Sequence, residues 1–186
     1  MDRLTAETPR IETKRLTLRP MTPADAEEMH AIFSDAEVMR FWNTPPHPDL
    51  GHTRERLLKG IETDRSGESF WWGIERKEDG RLLGTVTVFF GSFQREHRAE
   101  LGYILGREHW GSGYMNEAQS AVLDYAFGEL ALHRLEADVD PANEASLRSL
   151  ERLGFKREGL LRERWEVAGE ITDSVLLGLL AREWRS

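Results

Sequence analysis

The 186-residue sequence has no cysteine. This excludes disulfides and thiolate metal sites and is compatible with a reducing compartment. It has no apolar run long enough to cross a bilayer, and its opening MDRLTAETPR lacks the apolar core of a signal peptide. A cytoplasmic chain with no membrane partner is expected. A basic excess is also missing: 25 Lys and Arg stand against 33 Asp and Glu, a formal charge of −8. That balance speaks against a general nucleic-acid binder and suits a cationic partner such as an amine. Six histidines supply neither an H-E-x-x-H pattern nor a ligand cluster, so no metal is expected. No Ser-His-Asp arrangement can be assembled from motifs. Repeats, low-complexity tracts and long linkers are absent too, which predicts a single domain over residues 1–186.

What is present reads as an α/β chain. IETKRLTLRP (11–20) alternates Leu16 and Leu18 with polar residues and stops at Pro20, as a half-buried strand does. Thr22, Pro23 and the acids after them start a helix whose Ala26, Met29, Ile32 and Phe33 share one face. A short helix is expected around Glu37 to Phe41, then the proline-rich loop FWNTPPHPD, then a mostly polar helix from Asp49 to Asp64. SFWWGIER and LLGTVTVFFG form a hairpin across KEDGR, where Asp79-Gly80 supplies the turn. RAELGYILG (98–106) adds a strand with Leu101, Tyr103 and Leu105 on one side. Ala118, Ala121, Val122 and Tyr125 recur at helical spacing between Glu117 and Leu130. HRLEADV is a short strand and NEASLRSLERLGF a helix closed by Gly154. KREGLLRERWEV and EITDSVLLGLL are strands turning at Ala168-Gly169. The order β-α-α-β-β-β-α-β-α-β-β predicts a mixed sheet of about seven strands with helices on both faces.

HWGSGYMNEA (109–118) puts Gly111 and Gly113 directly before a helix. Glycine reaches positive φ and offers no Cβ, so successive N–H groups can line a nest for a phosphate at a helix N-terminus. An isolated G-x-G is more often the mark of a plain turn. Position 116 is asparagine, so the G-x-G-x-x-G dinucleotide fingerprint is incomplete, and no G-K-[ST] follows.

The neighbouring motifs narrow the choice. AELGYIL (99–105), WGSGYMNEA (110–118), LHRLEADVDPANEAS (132–146) and LERLGFKREGLLRE (150–163) together resemble the GNAT acetyltransferase superfamily, most closely its RimJ/RimL-type branch. TKRLTLRP (13–20) and LLGLLAREW (176–184) match that branch too. The resemblance implies acetyl transfer from acetyl-CoA to an amine by direct attack in a ternary complex, on a sheet whose central strands splay. The acceptor is a small amine or the α-amine of a peptide or protein, and a homodimer is compatible with the family. A non-catalytic acyl-CoA-binding module is the alternative from another class.

By that resemblance the pyrophosphate faces the N–H groups of Trp110, Gly111, Ser112, Gly113, Tyr114 and Met115, with Asn116 where the branch often has threonine. The first loop position is the acidic Glu108, where the family has Arg or Gln. Tyr103, Ile104 and Leu105 lend backbone groups to the pantetheine arm. Asn143 resembles the residue contacting that arm, although Pro-Ala-Asn before a helix is also a good N-cap. Ser146 is the expected proton donor to the departing thiolate, and Glu100 the expected base. Glu100 has an alternative as a cross-strand partner of Arg or Lys; Glu163, Glu166 and Asp173 are reserves. Trp42, Asn43, His47 and Trp72, with Trp71 beside them, are expected to wall the acceptor groove, bordered by Arg164 and Trp165, with core packing the commoner role for any single tryptophan.

Overall fold

Leu16 and Leu18, two apart on a strand, are both fully buried, and the sheet they open sets the geometry of the molecule. The computed structural model describes residues 7–90 and 97–184. The first six residues of the opening MDRLTAETPR and Gly91 of the expected LLGTVTVFFG strand lie outside them. The expected first strand is two: β1 (Ile11–Glu12) and β2 (Leu16–Pro20). Thr13 breaks it, donating its N–H to the Leu16 carbonyl at 2.9 Å while its hydroxyl accepts the Leu16 N–H at 2.9 Å. The sheet therefore has eight strands, not about seven.

Three helices follow. In α1 (Ala26–Phe33) the expected face of Ala26, Met29, Ile32 and Phe33 is buried. The short α2 (Ala36–Met39) precedes α3 (Leu50–Arg65), whose N-cap Asp49 accepts the His52 N–H at 2.8 Å. The hairpin of β3 (Ser69–Arg76) and β4 (Leu82–Phe89) turns through Gly80 at φ +72°. Then come β5 (Arg98–Leu105), α4 (Tyr114–Phe127), β6 (Arg134–Val139) and α5 (Glu144–Arg152), and last β7 (Lys156–Val167) and β8 (Glu170–Leu180). Helix α4 starts at Tyr114, directly after the glycine loop, three residues earlier than its apolar spacing alone suggests.

The strand order is β1-β2-β3-β4-β5-β6-β8-β7, antiparallel except where β5 meets β6. Helices α1 to α3 cover one face, packing Met29, Phe33 and Leu57 with Ile104. Helices α4 and α5 cover the other, burying Val122, Leu123 and Leu150 among sheet residues such as Phe70 and Trp72. The parallel pairing is short: Arg98, Ala99 and Glu100 lie against Arg134, Leu135 and Glu136, and there it stops. Beyond it β5 stays on β4 as far as Leu105, and β6 stays on β8 as far as Val139. A wedge opens in the middle of the sheet. Among the described residues no helix is long and apolar enough to cross a membrane.

Candidate active site

Strand geometry decides what the wedge exposes. Gly106 donates its N–H to the Leu83 carbonyl at 2.8 Å, and Ile104 pairs with Thr85. Backbone groups alternate sides along an antiparallel strand, so Tyr103 and Leu105 aim theirs into the wedge. Ile104 aims its own at β4 and gives the site only a buried side chain. The expectation of a backbone contact from Ile104 is corrected accordingly. The Leu105 carbonyl is taken by the Trp110 indole at 2.8 Å, which leaves its N–H and both backbone groups of Tyr103 to a ligand.

At the head of the wedge lies the glycine loop. Gly111 and Gly113 have φ of +71° and +76°, and an added Cβ at Gly111 would meet nothing within 4 Å. No side chain caps α4 at Gly113, so its first-turn N–H groups look outward with the helix dipole behind them. Trp110 departs from expectation: its N–H closes a turn onto the Arg107 carbonyl at 3.2 Å, so it contributes a ring, not an amide. Ser112 is exposed and does not line the cavity, whereas Gly111, Gly113, Tyr114, Met115 and Asn116 do. The acidic Glu108 turns away to Arg81 at 3.2 Å and His109 at 3.1 Å.

Across the wedge, Asn143 caps α5 through its side-chain carbonyl, 3.1 Å from the Ser146 N–H. Its amide nitrogen remains for the cavity it lines. The Ser146 hydroxyl is 2.6 Å from the Tyr103 hydroxyl. Burial pushes the Tyr103 phenol up, opposed by its hydrogen bond with Ser146 and by the nearby Gln119 amide. Gln119 is fully buried, and its Nε2 has no partner among the described residues. The motif had assigned Tyr103 only a backbone role. Its phenol was missed, although a tyrosine alternating with buried leucines has to place its hydroxyl somewhere.

On the opposite face of the sheet, Glu100 lines the same cavity, which measures about 1440 Å³ and opens to solvent. Burial pushes its carboxyl up, Asp138 and Glu136 add to the push, and Arg164 opposes it; no hydrogen bond from the described residues counteracts them. The alternative role as a cross-strand partner is filled by Glu136, which receives Arg98 at 3.2 Å and Arg134 at 2.7 Å. Asp138 was missed. It alternates with Leu135, Ala137 and Val139 on β6, accepts the Trp165 indole N–H at 3.1 Å and contacts the Ser174 hydroxyl. The reserves Glu163, Glu166 and Asp173 do not line this cavity; Glu163 instead donates its N–H to Asp173 at 2.8 Å on the exposed bulge of β7.

Trp42, Asn43, His47 and Trp71 wall the outer cavity, as does Trp165. Trp72 does not. Successive strand residues face opposite ways, so Trp72 is fully buried on the α4 side, its indole donating to the Pro9 carbonyl at 2.7 Å. Its expected acceptor role is withdrawn. His47 is buried, stacked on Phe33 at 5.1 Å and held by Thr53 at 2.9 Å. Burial, aided by His52, Arg56 and His30, lowers it to about 4, so it serves the wall as a neutral ring. Among the described residues no group of three or more His, Asp or Glu can hold a metal ion.

Known proteins share this architecture. The chain matches the acetyltransferase (GNAT) domain over residues 15–156. It is 38% identical over 173 residues to the uncharacterised N-acetyltransferase p20 of Bacillus licheniformis, covering 92% of this chain and 96% of that one. It is 29% identical over 184 residues to the ribosomal protein uS5-alanine N-acetyltransferase of Escherichia coli, covering 94% and 92%. The crystal structure of a GNAT-family acetyltransferase from Bacillus anthracis has a TM-score of 0.81 at 27% identity, over 94% of this chain and 100% of that chain. The chain thus belongs to the GNAT family: it is a RimJ/RimL-like N-acetyltransferase, of the enzymes that carry an acetyl group from acetyl-CoA to an amine.

Proposed function

We propose that this chain acetylates a primary amine by direct attack in a ternary complex, with Glu100 as base and Ser146 serving the departing sulfur. The acceptor is a small amine or the α-amine of a peptide or protein. The observation that carries this reading is the wedge between β5 and β6, with a half-buried carboxylate on one side and the Tyr103–Ser146 pair on the other.

Acetyl-CoA fits the residues present and supplies an acyl group activated as a thioester. The open Cβ position at Gly111 and the uncapped start of α4 make the cradle for its pyrophosphate. The N–H groups of Tyr103 and Leu105 are the donors for the pantetheine amides and for charge growing on the acyl oxygen. Glu100 takes a proton from the acceptor ammonium, directly or through one water; its raised affinity for protons suits a base working near neutral pH. As the C–N bond forms and the C–S bond breaks, Ser146 donates to the sulfur. Two protons leave the nitrogen: one passes through Glu100 to solvent, and the other, lost as the C–N bond forms, replaces the one Ser146 gives to the thiol. Tyr103 donates to Ser146 Oγ and thereby turns the serine hydrogen toward the wedge.

The outer cavity supports a cationic acceptor. Glu100 and Asp138 supply negative charge, and Trp42, Trp71 and Trp165 supply ring faces. The E. coli relative is an alanine acetyltransferase of a ribosomal protein, which favours testing α-amines beside small amines. The test is CoA thiol release across a panel of polyamines, amino acids and N-terminal peptides, repeated with Ser146→Ala, Tyr103→Phe and the double variant. Each single change should lower kcat by about 10- to 100-fold without weakening CoA binding, and the double should be little worse than the singles. Turnover untouched by both substitutions would sink this mechanism.

A further inference from the structure

The N-terminal hairpin reaches across the molecule to the glycine loop. Residues 13 and 15 sit about a hundred positions from α4, yet four hydrogen bonds and a ring contact join them to α4 and the loop before it. The Glu117 carboxylate accepts the Arg15 N–H at 2.7 Å and Arg15 Nε at 2.6 Å, and its Oε1 lies 2.7 Å from the Thr13 hydroxyl. Arg15 Nη1 donates to the Ser112 carbonyl at 2.9 Å, between the two glycines. The guanidinium also lies over the Tyr114 ring, 4.4 Å from its centroid.

This clamp answers an electrostatic problem. Glu117 stands in the first turn of α4, the end whose dipole favours an anion. Burial pushes its carboxyl up, but the Arg15 N–H, Thr13 and the Arg15 side chain outweigh that and keep it ionised. A fixed negative charge thus sits beside the place where a pyrophosphate would bind. Glu108, at the head of the loop, adds no cation and is directed to Arg81. Arg15 does: it pairs with Glu117 and holds the loop by a carbonyl. Its remaining nitrogen, Nη2, lies 3.5 Å from where a Cβ on Gly113 would start. The Arg15 side chain is 40% exposed.

We infer that Arg15 is the positioning residue of the pyrophosphate loop: it fixes Ser112 between the left-handed glycines, cancels Glu117, and turns Nη2 to the phosphates. The inference rests on the acetyl-CoA reading of that loop. Calorimetry with free CoA separates the two, because no acceptor or chemistry is involved. Failure of the wild type to bind CoA would overturn the loop reading itself. With the wild type binding, Arg15→Ala should weaken CoA about tenfold, the weight of one charge-assisted hydrogen bond. Arg15→Lys, which keeps the charge and loses the fork, should recover part of that loss. Adding Glu117→Gln to Arg15→Ala should recover part of it as well, since the uncompensated carboxylate is then gone.

A second readout isolates the phosphate end. S-acetylpantetheine carries the thioester without pyrophosphate or nucleotide. With it as acyl donor, kcat/KM of Arg15→Ala should match the wild type, while kcat/KM with acetyl-CoA falls and kcat at saturating acetyl-CoA holds. CoA affinity unchanged in Arg15→Ala, or an equal loss with both donors, would overturn the assignment. If Arg15→Ala does not fold by thermal melting, Arg15→Lys carries the same comparison.

Discussion

Gly111 and Gly80 form a matched pair, with φ of +71° and +72°, and an added Cβ at either would meet nothing within 4 Å. Alanine at each position therefore suffers the same penalty, about 1–2 kcal/mol for holding a side chain in the left-handed region. For a chain of this size that lowers the melting temperature by roughly 2–8 °C. The two sites differ in what surrounds them. Gly80 turns the β3–β4 hairpin, whereas Gly111 lines the cavity at the head of the wedge. A methyl at Gly111 stands where backbone N–H groups are to approach a phosphate. Losing one charge-assisted bond there costs about 1.5–3 kcal/mol, or roughly tenfold to a hundredfold in CoA affinity. Melting curves and CoA calorimetry on Gly80→Ala and Gly111→Ala read both quantities. Both variants should melt earlier by similar amounts, and only Gly111→Ala should lose CoA. Equal CoA affinity in the two, with the melting shifts as expected, would refute the cradle and leave the loop as a corner.

Two further outcomes test the faces of the sheet. Glu100 holds its proton more tightly folded than unfolded, so its contribution to stability is present below the ordinary carboxylate range and lost as pH rises through the raised value. Glu100→Gln should therefore melt no lower than wild type at pH 7, while kcat/KM drops by about 10²–10⁴ and the acid limb of its pH profile disappears; an unchanged limb would remove Glu100 as base. Trp72→Ala should cost about 3–5 kcal/mol of stability without raising the KM for the amine in the fraction that folds. Urea unfolding and amine kinetics would show the reverse if Trp72 faced the acceptor.

How much of this was legible beforehand varies with the physics behind each feature. Strands and helices declare themselves through local periodicity, so Leu16 with Leu18, the α1 face and the Asp79-Gly80 turn appeared where expected. The split of the first strand did not, because it depends on Thr13 satisfying Leu16 from a side chain and on Glu117 from a distant helix. Family motifs located the glycine loop and the wedge, since both use backbone, which a pattern of glycines and strand residues can encode. Side-chain chemistry was less accessible. Asp138 and the Tyr103 phenol become site groups only when two strands separate and α5 is laid over the gap.

The Trp71–Trp72 pair shows why adjacent residues so often mislead a reading by composition. Both are aromatic, both sit in a strand near the expected groove, and a one-residue step sends them to opposite sides. Trp71 packs its ring so closely on α3 that a Cβ at Gly60 would come within 2.4 Å of it. Trp72 instead touches Phe70 and Tyr125 under α4. Which of the two lines the cavity follows from register, and register follows from partners: Trp71 opposite Thr87, Thr87 opposite Gly102, and Glu100 two residues back along β5 on the same face. The Glu100 carboxylate and the Trp71 ring thus share a face as a single consequence of strand alignment. The hydroxyl pair, on the odd-numbered face with Leu101 and Leu105, is its complement. The break between β5 and β6 after Glu100 opens the sheet beside that strand, so groups from both of its faces reach one cavity.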